Sequence, residues 1–135
     1  MVQQISFSLP RRSKGFHLIT EEVLSQIEKL PKTGLLHLFI QHTSAALAIG
    51  ENADPTVRQD LDQAFDRIAP AHENYLHDAE GADDMPAHIK TIVTGNSVSI
   101  PITDGKLNLG RWQGIYLCEF REQATPRSLV VSVIA

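Results

Sequence analysis

The chain has 135 residues, of which 42% are hydrophobic and 21% are charged, and its formal net charge is -4. This length and composition fit one globular domain over residues 1–135 and argue against wholesale disorder. The negative charge and the lack of a basic stripe exclude an electrostatic nucleic-acid binder. The only cysteine, Cys118, excludes an internal disulfide framework. No signal peptide or membrane-spanning run is evident, so we expect a cytoplasmic protein with no membrane partner.

The first half of the chain alternates between strand and helix patterns. Thr20 is expected to cap a short helix that ends at Pro31, and Asp54 followed by proline marks the start of a second helix. Hydrophobic alternation or continuous apolar runs mark the strands. The predicted elements are a strand over 2–9, a helix from 20 to 30, strands over 35–41 and 45–49, and a helix from 54 to 68.

The second half reads as a polar loop, one short helix and then strands. The helix opens near Pro86 and stops at Gly95, and Ile92 and Val93 are expected to face inward. Strands are predicted over 98–102, 106–110, 115–120 and 128–134. Because most strands are close in sequence, we expect a single domain with an antiparallel-rich sheet or sandwich and two or three helices packed on it.

The first candidate site surrounds His42, where hydroxyl, carboxylate and amide groups are unusually dense. Thr43 and Ser44 follow the histidine, and Glu51, Asn52 and Asp54 come a few residues later. The functional reading brings these groups together beside a helix N-terminus that favours an anion. In the alternative reading, the hydroxyls bond local backbone in a turn and Asp54 is only a helix cap.

Two further histidines lie in polar surroundings. His77 is followed by an aspartate in a loop, and His88 lies near the start of a predicted helix, where the helix dipole favours the neutral, ligand-ready imidazole. Alternatively, His77 is a solvated loop histidine, and His88 is a surface residue in the first turn of its helix. We expect His42, His77 and His88 to come together around one metal ion or one anion, although their spacing matches no standard zinc motif.

A third candidate region runs from Gly110 to Gln113. Trp112 could stack on a planar heteroaromatic ligand while Gln113 bonds to it, or the indole could anchor a hairpin in the core. Arg127 precedes the last strand and suits either a phosphate contact or an ordinary strand-end charge.

Taken together, GFHLIT, QHTSAALAIGENADP, NYLHDAEGADDMPAHIK, KLNLGRWQGIYLCEF and PRSLVVSVI resemble the YjbQ-like family over nearly the whole chain. The resemblance implies a jelly-roll-like α+β fold, a homotrimer and a site built from the polar positions of these motifs. Many relatives have asparagine four residues before the last motif histidine, whereas this chain has Asp84, which would strengthen cation binding. The implied site residues are His42, Thr43, Ser44, Glu51, Asn52, Asp54, His77, His88, Gly110, Trp112, Gln113 and Arg127.

Some members of this family are called secondary thiamine-phosphate synthases. The resemblance thus implies a transferase that joins an aminopyrimidine methyl diphosphate to a thiazole phosphate, with Mg²⁺ and cationic donors stabilising the leaving group. Two alternatives stay open: a metal-dependent hydrolase of a small phosphorylated or nucleotide-like compound, with Glu51 as general base, and a non-catalytic trimeric binder. We expect a phosphorylated small-molecule ligand, a divalent metal (zinc or magnesium) and no organic cofactor.

Overall fold

Two antiparallel sheets stack face to face, and two helices cover the outside of the smaller sheet. The computed structural model describes residues 1–135. In chain order the elements are β1 (Val2–Leu9), β2 (Gly15–Leu18), α1 (Thr20–Leu24), β3 (Thr33–Ile40), β4 (Ala45–Glu51), α2 (Pro55–Ile68), α3 (Asp84–Thr94), β5 (Ser97–Thr103), β6 (Lys106–Leu107), β7 (Gln113–Glu119) and β8 (Arg127–Ile134).

The larger sheet has five strands in the order β1-β8-β3-β5-β6, and the smaller sheet has three in the order β2-β7-β4. Every neighbouring pair is antiparallel. Strand β7 lies in the middle of the smaller sheet, with Glu119 opposite both Gly15 of β2 and Ala45 of β4. This arrangement confirms the expected antiparallel-rich α+β sandwich.

Apolar side chains fill the space between the two sheets. Alternate residues of β3, such as Leu36 and Leu38, meet Leu47 and Leu117 of the smaller sheet in one buried cluster. A second cluster lies on the other face of the smaller sheet, where Phe16, Tyr116 and Phe120 pack under α2 and α3. The layers are therefore large sheet, small sheet and helices, and the outer face of the large sheet has no covering element.

The orientation of α3 differs from the prediction. Ile92 and Val93 were expected to face inward, yet they are 85% and 58% exposed. The helix instead turns Ala87 and Lys90 toward the small sheet. Lys90 is buried because its ammonium donates to Asp66 of α2 at 2.7 Å and lies over the Phe120 ring. An ion pair thus outweighs hydrophobic periodicity in setting the rotation of this helix.

The first helix and two strands also depart from the sequence reading. α1 covers only Thr20–Leu24, and Thr20 does not cap it, because its hydroxyl accepts a hydrogen bond from the backbone N–H of Ile115 in β7. The four-residue strand β2 was not predicted. The strand expected over 106–110 shortens to Lys106–Leu107, which pairs with β5 across a tight turn.

Ion pairs hold the loop between β1 and β2 against α1 and α2. Lys14 donates to Asp62 and Asp66 of α2 at 2.8 and 3.0 Å, and Arg12 pairs with Glu22 of α1 at 2.5 Å. His17 of β2 contacts the carbonyl oxygen of Ser13 at 2.7 Å. These contacts fix residues 12–14 against the helices.

None of the helices is long and apolar enough to span a membrane.

Candidate metal centre

The polar side chains gather at the end of the sandwich where β3 and β7 finish and β4 and β8 begin. His42, Thr43 and Ser44 lie in the short connection between β3 and β4. The N-terminus of α3 brings Asp84 and His88 to this end, and the loop before it brings His77. The fold therefore brings residues 42–44 to the same end as His77, Asp84 and His88, which lie 33 to 46 residues later in the sequence.

Asp84 lies at the centre of the candidate site. Its Oδ2 atom is 2.7 Å from Nε2 of His77 and 3.1 Å from Nε2 of His88. One ligand atom of each of the three residues lies within 4.8 Å of the other two. The aspartate side chain is 3% exposed, and the histidine side chains are 47% and 30% exposed, so the cluster opens to solvent on the imidazole side.

The orientation of His88 is set by the connection between β3 and β4. Its Nδ1 atom lies 2.9 Å from the carbonyl oxygen of Thr43, so Nδ1 carries a proton and donates it there. In the neutral ring Nε2 then has a free lone pair, and this lone pair faces a carboxylate oxygen of Asp84. Such a contact is favourable only with a proton or a cation between the two atoms. A backbone carbonyl that fixes the far nitrogen is the usual support of a metal-binding histidine.

Arg121 holds the other oxygen of the central carboxylate. Its NH1 donates to Oδ1 of Asp84 at 2.5 Å and its Nε donates to Oδ2 of Asp83 at 3.0 Å. Burial alone would raise the pKa of Asp84, but hydrogen bonding to His77 and Glu80 and the electrostatic effect of His88 and Arg121 hold that pKa below its ordinary value. The aspartate is therefore an ionised ligand with one oxygen directed at the histidines.

His42 does not join this cluster. Its Nε2 accepts a hydrogen bond from the backbone N–H of Ser128 at 2.8 Å, and its Nδ1 lies 3.2 Å from NH1 of Arg127. Burial and the Arg127 charge lower the pKa of His42, so the ring is neutral. Nε2, the acceptor nitrogen of the neutral ring, is thus already used by Ser128. Within one chain the expected set of three histidines is replaced by two histidines and Asp84.

Arg127 is buried in an ion pair and does not reach a ligand site. Its Nε and NH2 atoms donate to the two carboxylate oxygens of Glu119 at 2.7 and 2.5 Å. The two side chains are 5% and 0% exposed. Arg127 is the first residue of β8, as the alternative of a strand-end charge has it, but its guanidinium is buried against Glu119 and is not exposed to solvent.

Thr43 and Ser44 contribute backbone oxygens to this end. The Thr43 carbonyl accepts from His88, and the Ser44 carbonyl lies 3.4 Å from NH2 of Arg127. Neither hydroxyl has a hydrogen-bond partner within the chain. Their observed contribution is to position His88 and Arg127.

Glu51, Asn52 and Asp54 lie at the opposite end of β4, contrary to the sequence expectation. Six residue steps of an extended strand separate Ala45 from Glu51, which is about 20 Å. The carboxylate of Glu51 accepts from the backbone N–H groups of Ala53 and Asp54. Asp54 caps α2 by accepting from Thr56. Within one chain these groups build a turn and a helix start, and Glu51 is too far away to serve the histidines as a base.

The segment from Gly110 to Gln113 lies at this second end as well. Asn52 donates to the carbonyl oxygens of Arg111 and Gln113, and the Gln113 side chain accepts from the N–H of Gly110. Both amides are thereby occupied in holding the turn. Trp112 is 57% exposed, so it is not a core anchor, and the Arg111 guanidinium lies over its ring at 4.9 Å.

Sequence reasoning missed three residues of the centre. Glu80 has a carboxylate oxygen 3.4 Å from Nε2 of His77, and Arg121 donates to Asp84 from the loop after β7. Glu119, at the end of β7, accepts from the backbone N–H of Arg121. Glu80 could have been recognised from its place three residues after His77. Arg121 and Glu119 gave no local signal, because only the pairing of β7 with β4 brings them here.

A family model described as UPF0047 protein YjbQ-like matches residues 3–135. The chain is 46% identical to UPF0047 protein YjbQ of Escherichia coli O157:H7 over 98% of each sequence. Among solved structures it is similar to the conserved hypothetical protein TT1486 of Thermus thermophilus, with a TM-score of 0.82, 35% identity and coverage of 93% and 97% of the two chains. A YjbQ/UPF0047 protein of Clostridium acetobutylicum gives a TM-score of 0.83 at 37% identity, with coverage of 96% and 99%. The chain therefore belongs to the UPF0047 family of YjbQ-like proteins.

Proposed function

We propose that this protein is a metal-dependent hydrolase of a small phosphorylated compound, with the metal held by His77, Asp84 and His88. The observation that supports it is the contact of both imidazole Nε2 atoms with one carboxylate oxygen of Asp84. Three ligands from the protein leave coordination positions free, which is the pattern of catalytic rather than structural zinc sites.

The donor set favours zinc or another transition metal over magnesium. Mg²⁺ prefers oxygen ligands in octahedral geometry, whereas imidazole nitrogen suits Zn²⁺ and its neighbours. Two of the three donors here are imidazoles. This composition supports a hydrolase over the thiamine-phosphate synthase reading, which calls for Mg²⁺ beside a diphosphate.

The chain's own residues would orient the ligands and move the proton. Thr43 and Arg121 hold His88 and Asp84 in place. A bound divalent cation would supply Lewis acidity and lower the pKa of a coordinated water. Glu80 is 67% exposed and close to His77, so its carboxylate can accept a proton from a water at the open side of the centre. Glu51 cannot take this role within the same chain.

Zinc binding to the intact protein tests the centre directly. Calorimetric titration should give one site per chain, and His88→Ala or Asp84→Asn should weaken it by about 10-fold or more. His72→Ala is the matched control, because it removes an exposed histidine outside the cluster. Unchanged zinc affinity in His88→Ala would contradict the proposal. Hydrolysis of p-nitrophenyl phosphate by the zinc-loaded protein tests the activity.

We also propose a homotrimer in the cytoplasm. The outer face of the large sheet supports the assembly, because on β1, β8, β3 and β5 its side chains include no Asp, Glu, Lys or Arg, and interface centres are depleted of charge. The charged residue of this face is Lys106, which lies on the edge strand β6. Val2, Phe39 and Ile134 of this face are 59%, 38% and 42% exposed. The uncharged part of the face comprises Val2, Gln4, Ser6, Ser8, Thr33, Leu35, His37, Phe39, Ser97, Ser99, Pro101, Thr103, Ser128, Val130, Ser132 and Ile134.

A further inference from the structure

A pocket of about 270 Å³ opens at the same end of the sandwich as the metal centre. The loop between β1 and β2 forms one wall with Arg11, Arg12 and Ser13. The loop between β7 and β8 forms the other with Glu122, Gln123 and Ala124. None of these six residues belongs to the predicted site.

The pocket is joined to the metal centre by consecutive hydrogen bonds. The backbone N–H of Glu122 donates to Oδ2 of Asp83 at 2.9 Å, and the same oxygen accepts from Arg121. Arg121 in turn donates to Asp84, which contacts both metal-ligand histidines. One wall of the pocket therefore continues directly into the support of the centre.

Arg11 is the available cation at this end. Lys14 pairs with Asp62 and Asp66, and Lys90 shares Asp66. Arg121 and Arg127 are held by carboxylates, as described above. Arg12 pairs with Glu22 through NH2, and its NH1 is buried without an acceptor.

Arg11 is exposed and takes part in no ion pair of the chain. A phosphorylated substrate that approaches the centre would find its free guanidinium there.

The two loops also carry backbone donors without a partner. The N–H groups of Ser13, Gln123 and Ala124 donate to no acceptor within the chain. Successive backbone N–H groups beside a cation make an anion-binding concavity. The Glu122 carboxylate also lines the pocket and opposes an anion, but it forms no ion pair with either arginine. Glu122 is the only carboxylate that lines the pocket, whereas two arginines and three unpaired backbone N–H groups belong to its walls.

We propose that this pocket binds the phosphate group of the substrate, with Arg11 and the amides of Gln123 and Ala124 as its donors. The inference rests on the proposed hydrolase in assigning the anion to a substrate, but the pocket itself can be tested without metal. Arg11 is then a residue that positions the substrate and selects for its charge.

Inorganic phosphate is the probe, added to the full chain in the presence of a chelator. Saturable shifts of the Gln123 and Ala124 amide resonances are expected, and Arg11→Gln should weaken phosphate binding about tenfold. Arg67→Gln is the matched control, because it removes an exposed arginine on α2 and changes the net charge equally. Equal weakening by both substitutions, or no shift at the two amides, would overturn the pocket assignment.

Kinetics with the zinc-loaded protein separate the two proposals. If the pocket holds the substrate phosphate, Arg11→Gln raises KM for p-nitrophenyl phosphate about tenfold and leaves zinc affinity unchanged. Hydrolysis with an unaltered KM in this variant would overturn the inference and leave the hydrolase standing. Phosphate binding at Gln123 without zinc binding or hydrolysis would overturn the hydrolase and leave the anion pocket standing.

Discussion

Arg127 and Glu119 form a two-point ion pair at the end of the core, with N–O distances of 2.7 and 2.5 Å between side chains that are 5% and 0% exposed. Removing one partner of such a pair leaves an uncompensated buried charge. We therefore expect Arg127→Ala to lower the free energy of unfolding by about 3–5 kcal/mol. Urea denaturation measures this change.

The double variant Arg127→Met with Glu119→Leu is the control for that experiment. It removes both charges together, so it should cost less than either single substitution. If the loss in free energy of unfolding in the double variant equals the sum of the losses in the two single variants, the two side chains do not depend on each other.

Glu80 provides a test of the proposed proton transfer. Glu80→Gln keeps the shape of the side chain but removes its basicity, so kcat for phosphate ester hydrolysis should fall by roughly 10²-fold or more. Glu51→Gln is the matched control, since Glu51 lies at the far end of β4 and only caps local backbone. A larger loss in the Glu51 variant would reverse the assignment and would indicate that a second copy brings Glu51 to the centre.

His42 should make stability depend on pH. Burial and the Arg127 charge place the pKa of His42 in the folded protein below its ordinary value of 6.5. Above pH 6.5 His42 is neutral in both the folded and the unfolded protein, so its contribution to the free energy of unfolding is fully present there. As the pH falls through 6.5, the unfolded form binds a proton first and the free energy of unfolding decreases.

The substitution His42→Gln isolates that contribution. Glutamine can still accept the hydrogen bond from Ser128 but does not titrate. The loss of stability below pH 6.5 should therefore be shallower than in the wild-type protein, as measured by denaturation at several pH values. An identical slope in the two proteins would mean that His42 does not contribute.

Cys118 should be inert in the folded protein. The side chain is completely buried, and burial raises the pKa of its thiol to about 12. Since the thiolate is the reactive form, labelling with a disulfide reagent at neutral pH should proceed only through unfolding. Fast labelling under native conditions would show that the strand β7 opens locally.

The uncharged part of the outer face of the large sheet, on β1, β8, β3 and β5, gives a prediction about assembly. Phe39→Asp places a charge on the central strand of that face, where it would have to be buried in a contact between copies. We expect sedimentation to show a trimer for the wild-type chain and a folded monomer for this variant. Ile92→Asp on the exposed side of α3 is the control and should remain a trimer.

The sandwich was largely predictable because its strands alternate cleanly. Leu36, Leu38 and Ile40 face the core as the period of two requires, and Asp54 with Pro55 marks the true start of α2. The rotation of α3 was not predictable, because an ion pair between the buried Lys90 and the half-exposed Asp66 sets it. Such a pair joins two helices and leaves no trace in local periodicity.

The site was predictable only in part, for a geometric reason. His77 and His88 were correctly expected to lie near each other, and Asp84, to which the family resemblance had drawn attention, lies between them. The expectation that Glu51 lies beside His42 was wrong. The two residues are only nine positions apart in sequence, but most of that segment is the extended strand β4. An extended strand separates its ends, so short sequence distance there means large spatial distance.

The loop between β1 and β2 is held in place before any ligand binds. Arg12 and Lys14 tie this loop to α1 and α2, and His17 contacts the Ser13 carbonyl. The loop therefore loses its conformational freedom when the chain folds rather than when an anion arrives. Preorganisation of this kind reduces the entropic cost of association. An anion that enters beside Arg11 would have to order little more than one exposed side chain.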